Sequence, residues 1–315
     1  MQFSRMLAGA MLGTALFAVP ALAQENEACS TVRFSDVGWT DITATTAVTT
    51  ELLKGLGYET NTKVLSVPVT FASMKNQDID VFLGNWMPSM QADIAPYLED
   101  GSVEDVKTNL TGAKYTLAVP QYLYDEGLQS FSDIAKFSDQ LDSKIYGIEP
   151  GNDGNRLILD MIEKDAFGLG DFDIVESSEQ GMLSQVARAE RSEDPIVFLG
   201  WAPHPMNKNF DLEYLAGGDD FFGPDFGGAT VHTTVRKGFL EECPNVGALL
   251  SDLTFSLEME NAVMSAILDD GKKPEVAAQE WLKANPDQIT TWLEGVSTRD
   301  GEAGLPAVKT YLGLS

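Results

Sequence analysis

Short β-prone runs alternate with longer helical runs over the first two thirds of the chain, and this alternation restricts the fold more than any other feature. The β-prone runs are Thr31–Ser35, Lys63–Val67, Val81–Leu83, Tyr115–Val119, Lys144–Ile148, Ile174–Glu176 and Ile196–Leu199. Helical periodicity fills gaps between them at Asp41–Leu56, Asn155–Lys164 and Ser178–Ala189. Ser177 with Gln180 reads as a capping box before the last of these. Parallel strands need a long crossover, usually a helix, so the pattern predicts an α/β fold with parallel sheets flanked by helices. The final third is mainly helical, over Val246–Ser251, Ser256–Leu268, Pro274–Ala284 and Gln288–Leu293.

No low-complexity linker divides the chain. Two lobes would have to be joined by segments that cross between them, near Ala113–Pro120 and in the Gly-rich stretch Ala216–Ala229. The expected division is 24–114 with 230–315 as lobe I and 115–229 as lobe II.

A doubly wound sheet binds its ligand outside the carboxyl ends of its strands. Three of the five tryptophans lie there, each after a glycine: Trp39 in TVRFSDVGW, Trp86 in VFLGNW and Trp201 in IVFLGW. The other two, Trp281 and Trp292, fall in the helical C-terminal third and read as packing residues. Converging aromatic faces suit one ligand class above others. A trimethylammonium group is cationic but has no N–H to donate, so it is recognised by ring quadrupoles and apolar contact. Each desolvated contact contributes about 2 kcal/mol or less, and four rings about 8 kcal/mol gross. Micromolar affinity needs about −8 kcal/mol net, so after association costs a polar or charged anchor is required as well.

Tyr115, in the first crossing segment, is either the fourth ring or ordinary strand packing. Asp41, two residues after Trp39 at a helix start, is either the anionic anchor or an N-cap. Asn152, in the run GNDGN before a helix, either meets a polar ligand atom or forms a turn. His204 in WAPHPM reads as shaping a Pro-rich turn. Catalysis is poorly provided for. There are two histidines in all, and G-x-S-x-G, H-E-x-x-H and C-x-x-C patterns are missing.

Charge agrees with a cationic ligand without demanding one. The chain carries 48 acidic and 21 basic residues, which argues against nucleic acid or an anionic membrane as partner. At the N-terminus, Arg5, the apolar run from Met6 to Val19 and Ala21-Leu22-Ala23 form a signal peptide, with cleavage expected after Ala23. No lipobox cysteine follows it, so no lipid anchor is expected. Export makes the two cysteines, Cys29 and Cys243, either a disulfide or two buried thiols. A bridge would close a loop of more than 200 residues, contributing roughly 5 kcal/mol in the chain-entropy account.

The runs VGWTD, VFLGNWMPSM, ESSEQGM, FLGWAPHPMN and WLKANPDQITTWL resemble the substrate-binding proteins of glycine betaine, proline betaine and choline ABC importers. Within that group they resemble the periplasmic choline-binding proteins most. The resemblance covers nearly all of the chain after the signal. It implies a type II periplasmic binding protein: two lobes, each a mostly parallel sheet flanked by helices, with the ligand in the cleft between them. It places Trp39, Trp86, Tyr115 and Trp201 in the cage, Asp41 as ionic partner, Asn152 at the hydroxyl end of choline, and a disulfide between Cys29 and Cys243. It also implies a monomer that needs no cofactor or metal and delivers its ligand to a permease in the inner membrane. Betaine and carnitine are the nearest alternatives. A polyamine would need several carboxylates, and an exported choline-ester hydrolase would need a nucleophile–base pair.

Overall fold

A computed structural model of the chain describes residues 26–314. The expected signal peptide, residues 1–23, lies outside them. Among the described residues nine strands form one continuous sheet: β1 Thr31–Asp36, β2 Glu59–Val64, β3 Val81–Met87, β4 Val103–Pro120, β5 Lys144–Tyr146, β6 Asp173–Val175, β7 Phe198–Ala202, β8 Leu212–Tyr214 and β9 Gly228–Arg236. Their order is β2-β1-β3-β9-β4-β7-β5-β6, with β8 added to β4. At each end the strands are parallel, β2-β1-β3 on one side and β7-β5-β6 on the other, as strand–helix alternation requires. The middle is antiparallel, because β4 and β9 carry the chain between the two ends.

β4 is 18 residues long and changes partner midway. Val103–Lys114 pairs with β9, whereas Lys114–Ala118 pairs with β7. The switch falls inside the first expected crossing segment. The second expected crossing, Ala216–Ala229, leads directly into β9. That strand is absent from the sequence-based expectation, as is the first half of β4. Their many polar residues, GATVHTTVR and VEDVKTNL, hide the apolar alternation on which a strand assignment depends. β2 begins four residues earlier than expected, and Val67 opens a helix, Val67–Lys75, with Pro68 in its first turn.

The helix Thr40–Gly55 is buried over most of its surface, between the sheet and the C-terminal helices Leu257–Leu268, Pro274–Ala284 and Gly304–Leu312. It is rich in threonine, which a buried helix accommodates by bonding hydroxyls to the preceding turn. Thr45 Oγ1 donates to the Asp41 carbonyl at 3.1 Å and Thr49 Oγ1 to that of Thr45 at 2.8 Å. Gly84 lets this helix sit directly on β3, since a Cβ there would lie 2.6 Å from Ile42 Cδ1. Cys29 and Cys243 are joined by a disulfide, and no free cysteine remains among the described residues. No described helix is long and apolar enough to cross a membrane.

Candidate ligand site: an aromatic cage lined with carboxylates

Trp39, Asp41, Trp86, Tyr115, Ile148 and Trp201 line one small cavity. It lies at the carboxyl ends of β1, β3, β5 and β7, beside the point where β4 changes partner. Tyr115 and Trp201 are register partners across β4 and β7, with ring centroids 6.2 Å apart. Trp86 stands 5.9 Å from Tyr115. Every lining residue is at most 5 % exposed, so the rings and the acid are withdrawn from bulk solvent. The four rings expected from the sequence are therefore together, and Ile148 adds an apolar wall.

The anchors are more elaborate than the sequence suggested. Trp39, not Asp41, holds the N-cap position, and its side chain makes no capping bond. Asp41 lies in the first turn and accepts the Trp86 indole N–H through Oδ2 at 3.0 Å. Its other oxygen, Oδ1, is buried without a hydrogen-bond partner. Burial, and after it the carboxylate of Glu179, push the Asp41 carboxyl up to about 8. The Trp39 indole N–H goes to a second acid, Glu149, at 2.7 Å. Burial pushes Glu149 up to about 7, with Asp153 and Glu179 adding to it. Two of the cage rings are thus held edge-on by carboxylates.

Tyr115 is steered by a glycine. A Cβ on Gly154 would lie 2.0 Å from the Tyr115 hydroxyl, so only glycine leaves room for it. The hydroxyl donates to Asn152 Oδ1 at 3.4 Å. Burial, more than the nearby acids Asp153 and Glu149, raises the phenol well above its ordinary value, and the ring keeps its proton. Asn152 caps the helix Asp153–Glu163 by accepting the Asn155 N–H at 2.8 Å, and its amide donates to the Glu149 carbonyl. It stands beside the cage, behind Tyr115, and is not among the cavity-lining residues.

The expected capping box at Ser177 does not form. Ser178 caps the helix Glu179–Ser192, and the third helical position is Gly181, which has no side chain to close a box. This one-residue difference makes Glu179 the first helical residue. Its buried carboxylate accepts Thr40 N–H at 2.8 Å and Thr40 Oγ1–H at 2.5 Å. His204 faces Glu179 at 3.3 Å rather than the cavity, and its ring packs edge-on against Trp201 at 4.9 Å. Glu149 and Glu179 are the site residues that sequence reasoning missed. Both follow a strand, β5 and β6, so the strand-end rule that found the tryptophans would have found them had it been applied to acids.

Comparison with known proteins identifies the family. Residues 30–284 match the OpuAC family, described as the substrate-binding domain of ABC-type glycine betaine transport systems. The chain belongs to the OpuAC family. An "ABC-transporter choline binding protein in complex with choline" is 67 % identical with a TM-score of 0.91, covering 92 % of this chain and 100 % of that one. An unliganded, semi-closed structure of an ABC-transporter choline binding protein is 68 % identical, with a lower TM-score of 0.85 over 91 % of this chain and all of that one. At nearly the same identity this OpuAC chain thus superposes better on the liganded form. The glycine betaine/carnitine transport binding protein of Listeria monocytogenes is 34 % identical over 166 residues, 52 % of this chain and 53 % of that protein. These likenesses bear out the two-lobed binding-protein architecture, and OpuAC members are transport proteins rather than enzymes.

Proposed function

We propose that the protein captures choline between its two lobes and hands it to the permease of an ABC importer. One observation carries this reading: four buried aromatic rings line one cavity whose buried acid, Asp41, has an oxygen left without a partner. A methylated ammonium supplies what that oxygen lacks, a positive charge, and asks of the rings only their faces. The hydroxyl of choline is a donor, which Asp41 Oδ1 can accept, while Asn152 supports that end indirectly through Tyr115. Glycine betaine replaces that hydroxyl with a carboxylate, which Asp41 would repel. His204 would be the natural partner of a carboxylate, but it is engaged with Glu179.

Lobe I comprises 24–114 and 230–315, and lobe II 115–229. In the open form Trp39 and Trp86 meet the ligand first. Closure about β4 and β9 then brings up Tyr115 and Trp201 and expels water, which strengthens each charge interaction inside. The protein works in the periplasm after removal of its signal peptide behind Ala23, as a monomer with no cofactor. Isothermal calorimetry is the direct test. Choline should bind with micromolar-range affinity, about −8 kcal/mol, and glycine betaine at least about tenfold more weakly. Equal affinities would remove Asp41 from its role, and no binding of either would remove the cage.

A further inference from the structure

The run ESSEQGM belongs to none of the cage walls, yet it delivers a buried carboxylate near them. We propose that Glu179 is a specificity-determining residue: its carboxylate clasps Thr40 as the lobes meet, and makes closure favourable around a bare cation but not around a ligand that also carries a carboxylate. This rests on the quaternary ammonium reading of the cage.

The clasp spans the cleft. Glu179 belongs to the β5-β6-β7 side, whereas Thr40 stands between Trp39 and Asp41 on the β1-β3 side. Both oxygens of Glu179 engage Thr40, one through the backbone N–H and one through the hydroxyl. The backbone N–H is one that the N-terminus of a long helix leaves without an internal partner, so the contact also sets a negative charge on the positive end of a helix dipole. Because the two partners stand on opposite sides of the cleft, opening would separate them; here they hold the turn that carries Trp39 and Asp41 against the opposite wall.

The charge of Glu179 is not compensated by protein. Its remaining donor is His204 Nε2, at 3.3 Å. The other nitrogen of that ring, Nδ1, accepts the Met206 N–H at 2.9 Å, so the proton sits on Nε2 and the imidazole is neutral. Among the described residues Glu179 has no lysine or arginine partner. Neutral donors hold the carboxylate in place while its field reaches its neighbours, where it adds to the burial that raises both Asp41 and Glu149. An empty closed cavity therefore confines several acids with no cation, which is unfavourable. A ligand shifts the lobes toward closure only by its differential affinity for the closed form. A trimethylammonium carrying a hydroxyl brings one positive charge to these acids and no negative one. A zwitterion brings the same cation together with another anion, and gains correspondingly less.

Two substitutions in the full-length mature protein separate charge from clasp, with choline and glycine betaine titrated calorimetrically into each. Glu179→Gln keeps an oxygen for the Thr40 N–H and removes the charge. Choline affinity should fall about tenfold, as removal of a nearby partly screened charge implies, and glycine betaine affinity should hold or rise, so the preference for choline narrows. Thr40→Val keeps the charge and removes one clasp bond, and should weaken both ligands by a similar factor with the preference intact. A Glu179→Gln protein that retains the wild-type preference overturns the proposal, as does a Thr40→Val protein whose preference changes while its choline affinity does not. If the wild-type protein binds neither ligand, the cage reading fails and the proposal with it. If it binds choline well and only the Glu179→Gln outcome is wrong, the cage stands and the proposal alone falls.

Discussion

Trp86 and Trp292 are both almost fully buried, yet their indole N–H groups meet opposite surroundings. Trp86 donates to Asp41 at 3.0 Å, and its neighbour in the cage, Trp39, donates to Glu149 at 2.7 Å. Trp292 packs against Trp281 at 5.9 Å and Phe255 at 6.0 Å, and its Nε1 has no hydrogen-bond partner. Both regions are dense in aromatic rings, and only one is surrounded by carboxylates. Ring density alone makes a core. A cation site needs rings whose edges are anchored and a negative potential that water cannot screen.

The largest effect that would test this contrast is on stability. Trp292→Ala should cost about 3–5 kcal/mol of unfolding free energy, the range for truncating a large buried aromatic, measured by chemical denaturation. The preference of the folded protein for choline over glycine betaine should not change. If that preference moved instead, the C-terminal pair would not be a separate core. Trp201→Ala should behave the other way. Choline affinity should drop by about 1–2 kcal/mol, roughly five- to thirty-fold, with a smaller loss of unfolding free energy than Trp292→Ala. Unchanged affinity would take Trp201 out of the cage.

The smallest effect concerns pH, and it is confined to the cage. Asp41 and Glu149 are pushed up to about 8 and about 7 in the closed form. A carboxyl raised in this way stabilises the closed form while it is protonated. That contribution is complete below the ordinary carboxylate range and is lost as pH rises toward 7 and 8. A cation replaces the lost protons. The increase in melting temperature produced by saturating choline should therefore grow between pH 5 and pH 8. Asp41→Asn should flatten that growth, whereas Trp292→Ala should leave its slope alone. A wild-type increase independent of pH would mean that the cage acids do not titrate against the ligand.

Much of this was legible in the chain. The alternation of apolar runs predicts parallel strands flanked by helices, as found at both ends of the sheet, because side-chain periodicity is a local property. Glycine–tryptophan pairs at strand ends predict the rings, because open α/β sheets place their ligands there. The crossing strand β9 was not legible. Its residues GATVHTTVR mix polar and apolar side chains, and it is held by two neighbours distant in sequence, β3 and β4. Nor was Asn152 as a cap beside Tyr115, since both readings of the run GNDGN use the same residues.

The order of residues by itself determined which side chains stand at the carboxyl ends of the strands, and with them a cage chemistry of rings and at least one acid. Tertiary structure alone decided which of those acids meet across the cleft. Trp39 finds Glu149 and Thr40 finds Glu179, over separations of 110 and 139 residues. Such pairs depend on how two ends of one sheet fold toward each other, and not on where along its own helix Glu179 stands. No local pattern carries that information, because the energy that selects it arises only when both halves are in contact and water has left the space between them.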